Sequence, residues 1–157
     1  MVGSEIIILV HNIRSAYNVG SIFRTADGAG VTKIVISGYS ARPPHPGVLK
    51  TSLGAELSVP WTSMVRPAPW LKKMKRAGYT LAALEQTRAS RNLLTWTPKK
   101  KMILLVGNEV RGVSPALLKL VDVHLEIPMM GEKESLNVAS AFAIAAYRLG
   151  PALTAEA

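Results

Sequence analysis

Apolar residues in this chain gather in short, nearly unbroken runs at Glu5 to Val10, Lys33 to Ser37, Tyr79 to Leu84, Met102 to Val106 and His124 to Ile127. Runs of this length without alternation suit strands covered on both faces, so each is read as a β-strand. Between them the apolar positions follow a helical period at Asn18 to Ala29, Pro69 to Ala77, Ser114 to Leu120 and Ser135 to Leu149. Strands and helices in alternation predict an α/β fold, a mostly parallel sheet with helices packed on both faces. The first helix is expected to end at Gly28 and Gly30 and the second at Gly78, where a left-handed cap residue costs little strain, while Pro115 suits a first helical turn. Gly38 to Gly54, with Pro43, Pro44 and Pro46, reads as an irregular loop. Gln86 to Lys101 reads similarly, with a short helix at Ser90 to Trp96. The last helix is apolar nearly all round, which predicts burial on more than one side, inside the domain or in a subunit interface.

The 157 residues, 48% of them hydrophobic, are enough for one domain over 1–157 with a real core, and no separate RNA-binding domain is expected. A formal net charge of +9 directs attention to phosphate-bearing partners. The charge is uneven: from Pro60 to Lys101 ten Lys or Arg face the single acid Glu85, which makes that segment a candidate RNA-facing surface. With no Cys there is no disulfide framework, thiolate metal site or cysteine nucleophile. His11, His45 and His124 are scattered, so no metal is expected. No apolar run has the length of a membrane span and the first ten residues lack a signal-peptide pattern, so a cytoplasmic protein is expected.

Three polar clusters follow predicted strands. The first runs from His11 to Ala26 and carries Asn18, Gly20 and Arg24; the second is Gly107-Asn108-Glu109-Val110-Arg111-Gly112; the third runs from Ile127-Pro128-Met129 to Ser135-Leu136-Asn137-Val138. All lie at the carboxyl ends of strands, where open α/β sheets bind ligands, so they are expected to converge on one crevice. Taken singly, Glu109 can also cap its loop or pair with Arg111, and Asn18, Ser135 and Asn137 can serve as helix caps.

Taken together and in this order, the three clusters resemble the motifs of the SpoU (TrmH-like) branch of the SPOUT superfamily, the RNA ribose 2′-O-methyltransferases. The resemblance covers essentially the whole chain. It implies a deep trefoil knot in the C-terminal part, a homodimer whose active site draws on both subunits, and S-adenosylmethionine as methyl donor. It assigns Arg24 as the catalytic arginine, Asn18 to placing the substrate phosphate, Glu109 as the acid of the second motif, and Ser135 and Asn137 as the polar pair of the third. Gly107, Ile127 and Leu136 match donor-binding positions, with Leu84 and Met129 as further walls. The implied substrate is tRNA or rRNA. Methylation of a base nitrogen on the same fold and a non-catalytic RNA-binding module are the alternatives. A nicotinamide-dependent enzyme is disfavoured because no Gly-rich phosphate fingerprint follows the first strand.

Overall fold

A computed structural model describes residues 3–151. The element order is β1 (Glu5–His11), α1 (Ala16–Ala29), β2 (Lys33–Ser37), α2 (Pro46–Ser52), α3 (Ala55–Ser58), β3 (Trp61–Met64), α4 (Ala68–Arg76), β4 (Thr80–Leu84), β5 (Arg91–Asn92), β6 (Lys101–Val106), α5 (Pro115–Leu118), β7 (Val123–Glu126) and α6 (Val138–Leu149). Among the described residues seven strands form one sheet in the order β3-β2-β1-β6-β4-β7-β5, every pairing parallel. The chain first lays strands outward from β1 through β2 to β3, then fills the other side, so the connection direction reverses between β1 and β6.

The apolar run of β1 is explained by its place. Flanked by β2 and β6, it sends Ile6, Ile8 and Val10 into a core with Ile22, Phe23 and Phe142, and Ile7 and Leu9 into a second core with Leu71, Leu105 and Leu117. The first core lies under α1, α2, α3 and α6; the second lies under α4 and α5. Phe23 and Phe142 are fully buried, which stabilises the fold by about 1.5–3 kcal/mol each.

Helix α1 starts two residues earlier than the periodicity predicts, because the Ser15 hydroxyl caps it by accepting from the Asn18 N–H at 3.2 Å, and it ends at Gly30 rather than Gly28. Gly20 serves packing rather than a ligand: a Cβ there would lie 2.0 Å from Thr51 Oγ1 and 2.2 Å from the Val48 carbonyl of α2. The expected irregular loop at Gly38 to Gly54 contains α2, started by Pro46 at its first turn and capped by His45 Nδ1, which accepts from the Gly47 N–H. The sheet edges also depart from expectation. Trp61–Met64 is a strand with outward polar residues, and Arg91–Asn92 pairs with β7 where a short helix is expected.

Helix α6 begins at Val138, three residues later than predicted, because Asn137 is its cap, accepting from the N–H groups of Ala139 and Ser140 at 2.9 and 3.3 Å. Ser135 is therefore not a helix cap. One side of α6, with Phe142, Ala145, Ala146 and Leu149, is buried against the core. Ile144 and Tyr147, 38% and 46% exposed, leave the other side open within the chain.

Candidate functional site

The carboxyl ends of β4, β6 and β7 open onto a cleft of about 190 Å³. Its apolar walls are Leu84, Leu125, Ile127, Met129, Leu136 and Val138, and Gly107, Glu109 and Ser135 also line it. The second and third polar clusters thus meet in one crevice, and the five residues read as donor-binding, Leu84, Gly107, Ile127, Met129 and Leu136, lie on its wall.

The loop after β6 folds back on itself. Asn108 and Gly112 exchange backbone hydrogen bonds, and a Cβ on Gly107 would lie 2.5 Å from backbone atoms of Gly112 and Val113. Asn108 holds the loop in shape: its Oδ1 accepts from the N–H groups of Val110 and Arg111, both at 2.9 Å, while Nδ2 donates to the Asn12 carbonyl at 3.0 Å and to the Tyr39 hydroxyl at 2.8 Å. Asn12 has φ 54, a left-handed backbone that Asn tolerates better than most residues, and its Oδ1 accepts from the Tyr39 N–H. These bonds lock the ends of β1, β2 and β6 together where the connection direction reverses.

A hydrogen-bonded chain joins all three clusters. Glu109 Oε2 accepts from the Arg14 N–H at 2.9 Å, and Oε1 accepts from the Ser15 N–H and from Asn18 Nδ2, both at 3.1 Å. Asn18 Oδ1 in turn accepts from Asn137 Nδ2 at 3.3 Å. Burial opposes the charge on Glu109, but the donors from Arg14, Ser15 and Asn18 outweigh it and hold the carboxyl below the ordinary range. Glu109 thus latches the start of α1, an end that favours an anion, and it does not pair with Arg111.

Arg24 stands apart. It is exposed on α1, does not line the cleft, and makes no hydrogen bond or ion pair with the described residues. At about 100° per residue, its six-residue separation from Asn18 turns it roughly 120° around the helix axis.

Three cleft residues, Asn108, Glu85 and Gln86, escape the sequence reading as site groups. Glu85 Oε2 accepts from the Val113 N–H at 2.8 Å, pinning the return of the loop, and Gln86 Nε2 donates to the Glu134 carbonyl at 2.7 Å, tying the end of β4 to the third cluster. A signal for Glu85 exists: it is the single acid in a long basic segment, directly after an apolar strand. For Gln86 there is none.

The basic segment divides. Lys75 pairs with Asp122 at 3.0 Å, and Lys101 and the lysines before it stand at the amino end of β6, the edge of the sheet opposite the cleft. His11 bonds to Ser37, His45 caps α2 and His124 bonds to Thr87, and among the described residues no group of His, Asp and Glu has a metal-holding arrangement. No described helix is long and apolar enough to cross a membrane.

An open parallel sheet with an apolar-walled crevice and polar loops at the carboxyl ends of its strands defines an α/β architecture of the kind that holds ligands at that edge. Comparison with known proteins narrows the class. The chain belongs to the SpoU rRNA Methylase family, whose model matches residues 5–147. It is 32% identical over 151 residues to an uncharacterized tRNA/rRNA methyltransferase of Mycobacterium tuberculosis, covering 92% of this chain and 51% of that protein. It is 30% identical over 145 residues to the 23S rRNA (guanosine(2553)-2'-O)-methyltransferase RlmP of Bacillus subtilis, covering 91% of this chain and 57% of that protein. The SpoU methyltransferase AviRb of Streptomyces viridochromogenes, solved in complex with AdoMet, superposes with a TM-score of 0.84 at 27% identity, over 94% of this chain and 57% of that one. A structure reported as insight into the 2-OH methylation of C/U34 on tRNA gives 0.84 at 25% identity, over 97% and 98%. The chain spans about half the length of the curated relatives it matches.

Proposed function

We propose that this chain is a methyltransferase domain that moves a methyl group from S-adenosylmethionine to a ribose 2′-hydroxyl of tRNA or rRNA. The observation that carries the reading is the hydrogen-bonded line from Glu109 through Asn18 to Asn137, strung beside an apolar cleft at the ends of β6 and β7. The cleft suits the donor. Its aliphatic walls match an adenosine, and Glu85, Glu109 and Glu126 give it an acidic lining suited to a sulfonium. Gly107, Ile127 and Leu136 hold the ligand, with Leu84 and Met129 as walls. When bound, S-adenosylmethionine would supply an electrophilic methyl, whose transfer to the 2′-oxygen would leave the neutral thioether S-adenosylhomocysteine and release the hydroxyl proton to solvent.

The residues of this chain have mainly to bind and align, and positioning accounts for most of the barrier reduction in such a transfer. Asn18 keeps one amide hydrogen and one carbonyl lone pair beyond its bonds to Glu109 and Asn137, which suffices for a substrate phosphate or hydroxyl. Ser135 offers its hydroxyl at the rim. Arg24 supplies a planar fork of N–H donors with no acceptor, which suits it to orient the phosphate next to the reacting ribose.

Arg24 acts in the cleft of a second subunit. Supporting this homodimer, Arg24 shares the open side of α1 with Tyr17, and beside it α6 exposes Ile144 and Tyr147, an apolar surface left uncovered within the chain. A Cβ on Gly28 would lie 2.8 Å from the Tyr147 hydroxyl, so the open sides of α1 and α6 are contiguous. The C-terminal trefoil knot belongs to the same proposal. Its support is that the segment between β4 and β6 is bonded at two places to the stretch that follows β7: Gln86 donates to the Glu134 carbonyl, and Arg148 of α6 donates to the carbonyls of Leu94 and Trp96.

The test is methyl incorporation from radiolabelled S-adenosylmethionine into separated tRNA and rRNA, followed by alkaline digestion. A ribose 2′-O-methyl blocks cleavage at the next phosphate, giving a protected dinucleotide. A label on a freely released nucleotide marks base methylation instead, and no calorimetric binding of the donor marks a non-catalytic RNA module.

A further inference from the structure

We infer that Tyr39 is a stacking platform for an unpaired base of the RNA, a nucleobase subsite on the rim of the cleft. The inference rests on the RNA-methyltransferase reading above. Tyr39 is 63% exposed, yet both of its ends are tied: the Asn12 side chain accepts from its N–H at 3.1 Å, and Asn108 Nδ2 donates to its hydroxyl at 2.8 Å. An exposed tyrosine ordinarily keeps its rotamer freedom and loses it on binding. Here that freedom is removed beforehand, and the aromatic face is still presented to solvent.

The ring's location gives the arrangement its meaning. Asn108, which holds the hydroxyl, also lines the cleft, so the phenol lies at its edge and beside the loop that Glu109 latches to α1. Two exposed arginines lie on the segments that meet at the ring: Arg42, three residues further along, and Arg14, beside Ile13, whose N–H donates to Ser40 Oγ at 2.9 Å. Arg14 adjoins the Glu109 latch through its N–H, and Arg42 is steadied by donating from Nη1 to Ser63 Oγ at 2.7 Å. An exposed aromatic face with cationic residues on the adjoining segments is a pattern that takes an unstacked base and its phosphates. A nucleotide presenting its 2′-hydroxyl to the cleft must leave its helical stack, and its base or a neighbour's then needs a surface to rest on.

The experiment compares wild type with Tyr39→Ala and Tyr39→Phe in three measurements: S-adenosylmethionine affinity by calorimetry, binding of a labelled mixed-sequence single-stranded RNA against the same sequence as a duplex, and the KM for tRNA and rRNA in methyl transfer. Stacking on an aromatic residue is worth about 1–3 kcal/mol per base, so Tyr39→Ala should weaken single-strand binding and raise the RNA KM by roughly 5- to 140-fold. Donor affinity and duplex binding should be unchanged, and Tyr39→Phe, which keeps the ring, should stay within about threefold of wild type. The inference is overturned if Tyr39→Ala binds single strands like wild type, or if Tyr39→Phe falls as far as Tyr39→Ala with weakened donor affinity, which would make the hydroxyl's hold on Asn108 the whole role. A wild type that binds RNA but transfers no methyl defeats the methyltransferase reading alone, and the binding arm still decides the role of Tyr39.

Discussion

Glu109→Gln isolates the latch between the second cluster and the start of α1. The carboxylate accepts three hydrogen bonds, two on Oε1 and one on Oε2. A glutamine keeps the shape but offers a single acceptor oxygen, so its NH₂ must oppose either the Arg14 N–H or the pair from Ser15 and Asn18. One donor is left facing another donor, a loss of about 1–3 kcal/mol where water is excluded. Removing the anion from the N-terminal end of α1 adds about 0.3–1 kcal/mol. Glu109 is only partly buried and water reaches the Arg14 side, so the net is set near the lower end, about 2 kcal/mol. For a domain of this size that corresponds to a Tm about 4–8 °C lower, read by calorimetry at fixed protein concentration and pH 7. The same change should loosen Asn18 and Asn137 and lower kcat more than it raises the donor Kd.

The pH dependence supplies an independent check. The folded carboxyl titrates below its unfolded value, so the unfolded chain takes up the proton first as acid is added. The contribution of Glu109 is therefore complete above the ordinary carboxylate range, near pH 4.3, and disappears as pH falls through the lower folded value. Below it the wild type carries a neutral acid as well, and the Tm difference from Glu109→Gln should close. A difference under 1 °C at pH 7, or one that stays constant into strong acid, would refute the latch.

Other outcomes follow from the same geometry. Arg24→Ala should abolish methyl transfer while donor affinity, measured by calorimetry, stays within about threefold, since Arg24 is assigned to the substrate phosphate rather than to the donor; undiminished turnover defeats its role. Gly107→Ala drives a methyl group into the backbone of Gly112 and Val113, so it should cost at least about 1–3 kcal/mol in denaturant unfolding and remove measurable donor binding. Reversal of Lys99, Lys100 and Lys101 to Glu should weaken RNA binding and flatten its dependence on salt; an unchanged salt slope means that the amino-end edge of the sheet makes no phosphate contacts.

The central elements were legible because their environment leaves the sequence little choice. A strand with neighbours on both sides and helices on both faces must be apolar at every position, as Ile6 to Val10 and Ile103 to Val106 are. Edge strands carry no such requirement. Trp61–Met64 has polar outer positions and Arg91–Asn92 is wholly exposed, so neither announces itself. Helix α2 was hidden by prolines and glycines that usually mark loops, although Pro46 is well placed to begin a helix.

For the site, the order of residues determined the chemistry on offer: three polar clusters after apolar strands, an acid between glycines, and an Asn able to cap the last helix. Local rules sufficed because each cluster is continuous in the chain. Which groups meet was decided by tertiary structure alone. Asn18, Glu109 and Asn137 are joined by bonds spanning 91 and 119 residues, and Glu85, Gln86 and Tyr39 enter the site only because parallel strands bring their carboxyl ends to one edge. Hydrogen bonds act over about 3 Å of space, whatever the separation in sequence. Residue types and local pattern therefore name the participants, and only the path of the backbone decides their partners.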